Sequence, residues 1–233
     1  VAAFIDKWIT DLLDSQDQGG AFPSVAPNVL EKSPDGGPAW ADAAVIVPWT
    51  HYLCYGDKRI LERTYSAMRR YLDYLDGVDP LKRHNYGDWL HHDAHTPVDL
   101  IHHAFHAHVT DLVSRVAGVL SKKRDAAQLG KQFRALKSQF NKRFVTPEGR
   151  FVGDTQTAYV LALRFGLLPK KHQATAIANL VHDIEHGRFS NTWKNRKTHL
   201  STGFVGVKHL NFALSDAGRL DLAYKLLLNE DYP

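Results

Sequence analysis

No stretch of this chain alternates apolar and polar residues with a period of two, whereas apolar residues recur at spacings of three and four along most of it. Such a pattern builds helices and not a sheet. Two kinds of helical segment take turns. The amphipathic ones carry a single apolar stripe: residues 1–16 with Phe4, Ile5, Trp8, Leu12 and Leu13, residues 58–76 with Leu61, Tyr65, Met68, Leu72 and Leu75, and the segments 123–144, 170–185 and 219–228. Segments 36–56, 96–120, 154–165 and 199–214 are instead apolar nearly all round, histidines apart, and a helix of that composition belongs in an interior. The chain reads as all-α, with about nine helices.

The connections are asymmetric. Turns leaving an apolar segment are short, at 56–57, 120–121, 166–169 and 215–218, whereas loops entering one are long and rich in Gly, Pro, Asp and aromatic residues. Short turns join antiparallel neighbours. An inner and an outer layer of antiparallel helices follows, with all inner helices running one way and their N-termini at one end. The architecture with this property is an α/α-toroid, here incomplete, since nine helices fall short of six hairpins. An α-solenoid would require a residue-level repeat, and none is visible.

That shared end gathers candidate residues from separate loops: Trp40 and Asp42, Asp88 and Trp89, Asp154 to Thr157, and His199 to Thr202. Loops converging on one rim are where binding groups concentrate. In segment 36–56 the first turn carries Trp40 and Asp42 after a Gly/Pro-rich loop, and Pro48 implies a kink or a later helix start. Asp42 is open to two readings, a group facing ligand or an N-cap. Thr96, before Pro97 and Asp99, reads as the N-cap of its helix.

Composition narrows the classes of function. Hydrophobic content of 44% and charged content of 23% over 233 residues suit one large globular domain. The net charge of +4 raises nucleic acid as a partner. The excess cations, however, sit on the outer face of segment 123–144, whose Leu129, Phe133, Leu136 and Phe140 form its apolar stripe. A solvated surface accounts for them, and no recognition motif accompanies the charge, so no nucleic-acid partner is expected. No membrane partner is expected either, because no apolar run approaches the length of a span. A homo-oligomer stays open. Cys54 is the only cysteine, which excludes an internal disulfide. The chain opens at Val1 without a methionine and reads at both ends like the middle of a protein, so a fragment is expected.

Tryptophan beside carboxylate is equipment for sugars: aromatic faces stack on the C–H patches of a ring, and carboxylates accept hydrogen bonds from hydroxyls. Asp42, Asp88, Asp93 and Asp154 are available as carboxylates, and spacing alone picks no pair among them. His84, His91, His92, His95, His102, His103, His106 and His108 crowd one region, and His102 with His106 has the i, i+4 spacing of a metal pair. The glutamate of a zinc-peptidase helix is missing, so surface or packing roles fit better, and no metal or other cofactor is expected. Serine-nucleophile motifs, phosphate-binding glycine loops and dinucleotide fingerprints are absent.

The blocks GPAWADAAVIVPWTHYLCYGD, YGDWL, TPVDLI, DTQTAYVLALRFGLLP and HLSTGFVGVKHLNFALSDAGRLDLAYKLLLNEDYP resemble the α-L-rhamnosidases of glycoside hydrolase family 78, in order and across residues 1–233. The resemblance implies part of an (α/α)6-barrel catalytic domain that hydrolyses terminal α-L-rhamnosides of glycosides or polysaccharides with inversion. It also implies that Trp40 and Trp89 shape the rhamnose pocket, with Asp42 and Asp88 binding sugar hydroxyls; Asp154 and His199, placed at the same mouth by their own loops, are secondary candidates. The family's general acid lies in a block upstream of Val1 and its general base in a block downstream of the final Asp-Tyr-Pro, so no catalytic residue is expected within the chain. The His-rich start of segment 96–120 departs from the family pattern. Two alternatives from other classes are a toroid polysaccharide lyase, working through Tyr and His, and a non-catalytic sugar-binding protein.

Overall fold

The computed structural model describes residues 1–30, 36–83, 86–187 and 198–230. Among them there are nine α-helices and no strand beyond an isolated bridge between Val145 and Phe151. The helices are α1 (Ala2–Asp14), α2 (Ala43–Tyr55), α3 (Lys58–Gly77), α4 (Val98–Val119), α5 (Lys123–Phe144), α6 (Gln156–Arg164), α7 (Lys170–His186), α8 (Phe204–Asp216) and α9 (Leu220–Leu227). They fall into two compact units, Val1–Tyr86 with Phe105–Leu136, and Gly87–Ala104 with Lys137–Pro233.

The core of the first unit is built on the stripe of α3, where Ile60, Leu61, Met68, Tyr71, Leu72 and Leu75 are buried with Ile9, Phe22, Val45, Val109, Val113 and Val116. A two-residue turn joins α2 to α3. Gly56 takes the left-handed conformation (φ 70°) that ends α2, and the Asp57 carboxylate accepts the Arg59 N–H to start α3. Helix α2 begins at Ala43 and continues through Pro48. Its all-round burial is not found: Ala44, Val45 and Pro48 are buried, but Leu53, Cys54 and Tyr55 are exposed. An apolar composition states what a helix could bury, while burial needs neighbours on every side.

In the second unit α6 is the central element, with every residue from Gln156 to Ala162 buried. Thr155 caps it by accepting the Ala158 N–H at 3.2 Å. Helices α6 and α8 lie side by side and run the same way. Their starts meet through Gln156, which donates to the His199 carbonyl and accepts from the Ser201 N–H, and their ends meet through Arg164 and Asp216. This agrees with the parallel inner helices expected from the loop asymmetry. A Cβ on Gly206 would stand 2.4 Å from Thr157 Oγ1, so only glycine permits the approach. α7 packs on α6 and α9 on α8.

Two helix starts differ from expectation. α8 begins at Phe204 and not at residue 199, because 199–203 is an extended lead-in whose hydrogen bonds go to other segments. Thr96 is no N-cap: its hydroxyl is 2.7 Å from that of Thr155, and the Pro97 carbonyl accepts the Ile101 N–H. α5 matches its predicted bounds, with Leu129, Phe140 and Phe144 buried and its Lys and Arg residues exposed apart from the half-buried Lys137.

Candidate functional site

In the first unit the loop before α2 is bound from below by buried polar groups. Gly36 lies so close to Phe22 that a Cβ would fall 2.4 Å from that carbonyl oxygen, which explains glycine there. Ala39 holds a left-handed φ of 74°. Its N–H donates to Asp42 Oδ2 at 2.7 Å, and the Tyr71 hydroxyl donates to Asp42 Oδ1 at 2.9 Å. The Asp42 carboxylate is only 1% exposed and makes no cap bond to α2. Asp42 thus stands at the N-cap position of α2, while its carboxylate turns back to fasten its own loop. Burial raises its pKa, and the nearby Arg83 cation and these hydrogen bonds oppose the rise. Trp40, between Ala39 and Asp42, is half-buried, with its ring centroid 5.0 Å from that of Tyr86.

In the second unit the residues expected at the mouth come together. Asp88, 2% exposed, accepts the Thr157 hydroxyl at 2.5 Å and the Gly203 N–H at 2.9 Å through one oxygen, and the Val205 N–H at 3.0 Å through the other. It caps α8 from a distance of more than a hundred residues in sequence and ties that helix to the start of α6. The next residue, Trp89, is half exposed, at 50%. Its carbonyl accepts the Phe204 N–H at 2.9 Å, and its ring meets that of Phe204 edge-on at 5.6 Å. Gly203 makes this possible, since a Cβ there would lie 2.3 Å from the carbonyl oxygens of Asp88 and Trp89. The result is a hydrogen-bonded ledge that presents aromatic surface beside a helix N-terminus.

Asp154 stands at the start of α6 in a left-handed conformation (φ 47°), bonded by the Tyr159 hydroxyl and paired with Arg150 at 3.3 Å. His199 gives its N–H to the Ile184 carbonyl, and its Nδ1 lies 3.3 Å from the Asn229 amide nitrogen. Asp93 is half exposed with His92 at 3.8 Å. The histidines disperse into local contacts. His91 Nδ1 accepts the Ala94 N–H, His103 pairs with Asp99 at 3.0 Å, and His106 pairs with Asp76 at 3.2 Å, while His84 lies outside the described residues. Among the described residues no three His, Cys, Asp or Glu side chains are grouped as metal ligands, and no helix is long and apolar enough to cross a membrane.

Tyr71, Arg83, Tyr86 and Phe204 were not singled out from sequence. Phe204 was signalled only by the glycines around it in Thr202-Gly203-Phe204-Val205-Gly206, which mark a close approach. Nothing local to Arg83 announces its burial.

Helices joined in antiparallel pairs by short turns, with α6 and α8 parallel, define an all-α helical-hairpin class of domain. The family described as the bacterial alpha-L-rhamnosidase 6 hairpin glycosidase domain matches residues 1–233, and the chain belongs to that family. An alpha-L-rhamnosidase of Streptomyces avermitilis is 40% identical over 235 residues, covering 100% of this chain and 22% of that protein. The crystal structure of a Streptomyces avermitilis alpha-L-rhamnosidase complexed with L-rhamnose superposes with a TM-score of 0.89 at 39% identity, over 100% of this chain and 22% of that one. The alpha-L-rhamnosidase of Dictyoglumus thermophilum gives a TM-score of 0.88 at 27% identity, over 100% and 26%. The chain thus spans about a quarter or less of the Streptomyces relative it matches.

Proposed function

We propose that this chain serves as part of an α-L-rhamnosidase, which hydrolyses terminal α-L-rhamnosides of glycosides or polysaccharides with inversion, and that it supplies sugar-recognition surface. The observation that carries the reading is similarity along the whole chain, at up to 40% identity, to proteins that bear that name. The site is consistent with it. In this reading Trp40 in the first unit and Trp89 in the second each offer a stacking face to sugar, and Asp42 and Asp88, with their oxygens engaged inside the protein, each hold the neighbouring face in place. Direct contact of either carboxylate with a hydroxyl would require one of these internal bonds to be shared. Asp154 and His199 stand on the same rim as Trp89 as further contacts. General acid and base come from elsewhere in the enzyme. Neither a lyase nor a non-catalytic binding protein is represented among the relatives described.

The test uses the full-length protein that carries this chain and an aryl α-L-rhamnoside. Release of the phenol, with β-L-rhamnose as the first anomer seen by NMR, is the expected result. Trp89→Ala and Trp40→Ala are each expected to lower kcat/KM by about 1–3 kcal/mol for the stacking face removed. Absence of turnover, or an unsaturated product from an acidic polysaccharide, would refute the assignment.

A further inference from the structure

The loop from Gly36 to Asp42 is held at both ends by one buried chain of hydrogen bonds. Arg83 is 3% exposed; its guanidinium donates to the Gly36 carbonyl and, at 3.3 Å, to the Tyr71 hydroxyl. That hydroxyl passes its own proton toward Asp42 Oδ1 at 2.9 Å, and Asp42 Oδ2 takes the Ala39 N–H at 2.7 Å. The chain therefore runs from the first residue of the loop to its last without touching solvent. Two features need such a clamp. Ala39 sits in a left-handed conformation that a non-glycine residue adopts only under constraint. A buried carboxylate and a buried guanidinium are also retained at a desolvation cost that packing alone would avoid. The loop carries Trp40, and Arg83 lies three residues before Tyr86, whose ring meets Trp40.

We infer that Tyr71 and Arg83 are positioning residues, which set the orientation of the Trp40–Tyr86 aromatic pair by clamping the loop between Gly36 and Asp42. The inference rests on the reading of Trp40 as a sugar-stacking face. Both bonds leave one terminal nitrogen of Arg83, Nη2, whose planar geometry points its two protons in fixed directions that the rotating ammonium of lysine does not reproduce.

The experiment compares full-length wild type, Tyr71→Phe, Arg83→Lys, Trp40→Ala and the double variant Trp40→Ala/Tyr71→Phe. Tyr71→Phe keeps the ring that packs edge-on against Phe22 at 5.4 Å and removes only the hydroxyl. KM for an aryl α-L-rhamnoside is expected to rise about five- to tenfold in Tyr71→Phe with kcat within about twofold, and the double variant is expected to match Trp40→Ala alone. Near-ultraviolet circular dichroism gives a reading free of substrate: the contribution of Trp40, taken by difference against Trp40→Ala, should change in Tyr71→Phe. If Tyr71→Phe fails to accumulate, Arg83→Lys carries the same two measurements. An unchanged Trp40 signal, or KM effects that simply add in the double variant, would overturn the inference. A changed Trp40 signal with unaltered KM in Trp40→Ala would leave the clamp standing and remove the stacking role instead.

Discussion

Replacing Asp88 by alanine should loosen α8 from its N-terminal end. The carboxylate receives two backbone N–H groups, Gly203 at 2.9 Å and Val205 at 3.0 Å, besides the Thr157 hydroxyl at 2.5 Å. A hydrogen bond to a charged acceptor contributes about 1.5–3 kcal/mol, and a negative charge at a helix start adds about 0.3–1 kcal/mol. Water admitted beside the half-exposed Phe204 would recover part of this, which leaves about 3 kcal/mol. At about 1.4 kcal/mol per factor of ten, the amides of the first turn should then exchange with solvent deuterium about a hundredfold faster. The assay is hydrogen exchange read by mass spectrometry on the full-length protein, following a peptide over residues 203–210 and, as control, one over the end of α6. Asp88→Asn keeps one acceptor oxygen but turns an NH2 group toward a backbone donor, so it should give an intermediate effect. Unaltered protection of residues 203–207 in Asp88→Ala would show that Asp88 does not hold this helix.

Acid should weaken the fold through His209. Its Nε2 is buried, and burial, helped by the Lys208 and Arg164 cations, lowers its pKa from 6.5 to about 4. A depressed pKa means that the unfolded chain binds the proton first, so this stability is complete above pH 6.5 and lost as pH falls toward 4. The loss is about 2–3 kcal/mol after allowance for solvent, and the denaturation midpoint of wild type should fall relative to that of His209→Leu over that interval; parallel curves would refute it. The 233-residue chain expressed alone is expected to be poorly soluble, because α9 exposes Leu220, Tyr224 and Leu227, with Leu228 at its C-cap exposed beside them; Leu227→Ser with Leu228→Ser should raise its solubility, and no gain would count against that face as the cause. It is also expected to hydrolyse no rhamnoside, and turnover abolished by Asp42→Asn or Asp88→Asn would place the catalytic pair within it.

Much of the fold was legible because helices leave a local record. The stripe of α3, the bounds of α5 and the Gly56-Asp57 turn follow from spacing, charge and turn chemistry that neighbouring residues carry themselves. Even the common direction of α6 and α8 could be read, since short exits and long entrances leave little choice of topology. The tryptophan and aspartate at the start of α2 and in the loop before α4 were visible for the same reason.

What side chains do at those positions was decided only in three dimensions. Asp42 and Asp88 look alike in sequence, each adjacent or nearly adjacent to a tryptophan before an apolar segment. One fastens its own loop through Ala39 and Tyr71, and the other caps a helix more than a hundred residues away. A carboxylate accepts hydrogen bonds from whatever donors the tertiary structure brings near it, and donors so distant in sequence leave no local mark. Burial follows the same rule. α2 and α8 have the composition of interior helices, yet Leu53, Tyr55, Phe204 and Phe212 face outward. Periodicity reports which faces are apolar, and only the packing of other segments determines which of them are covered.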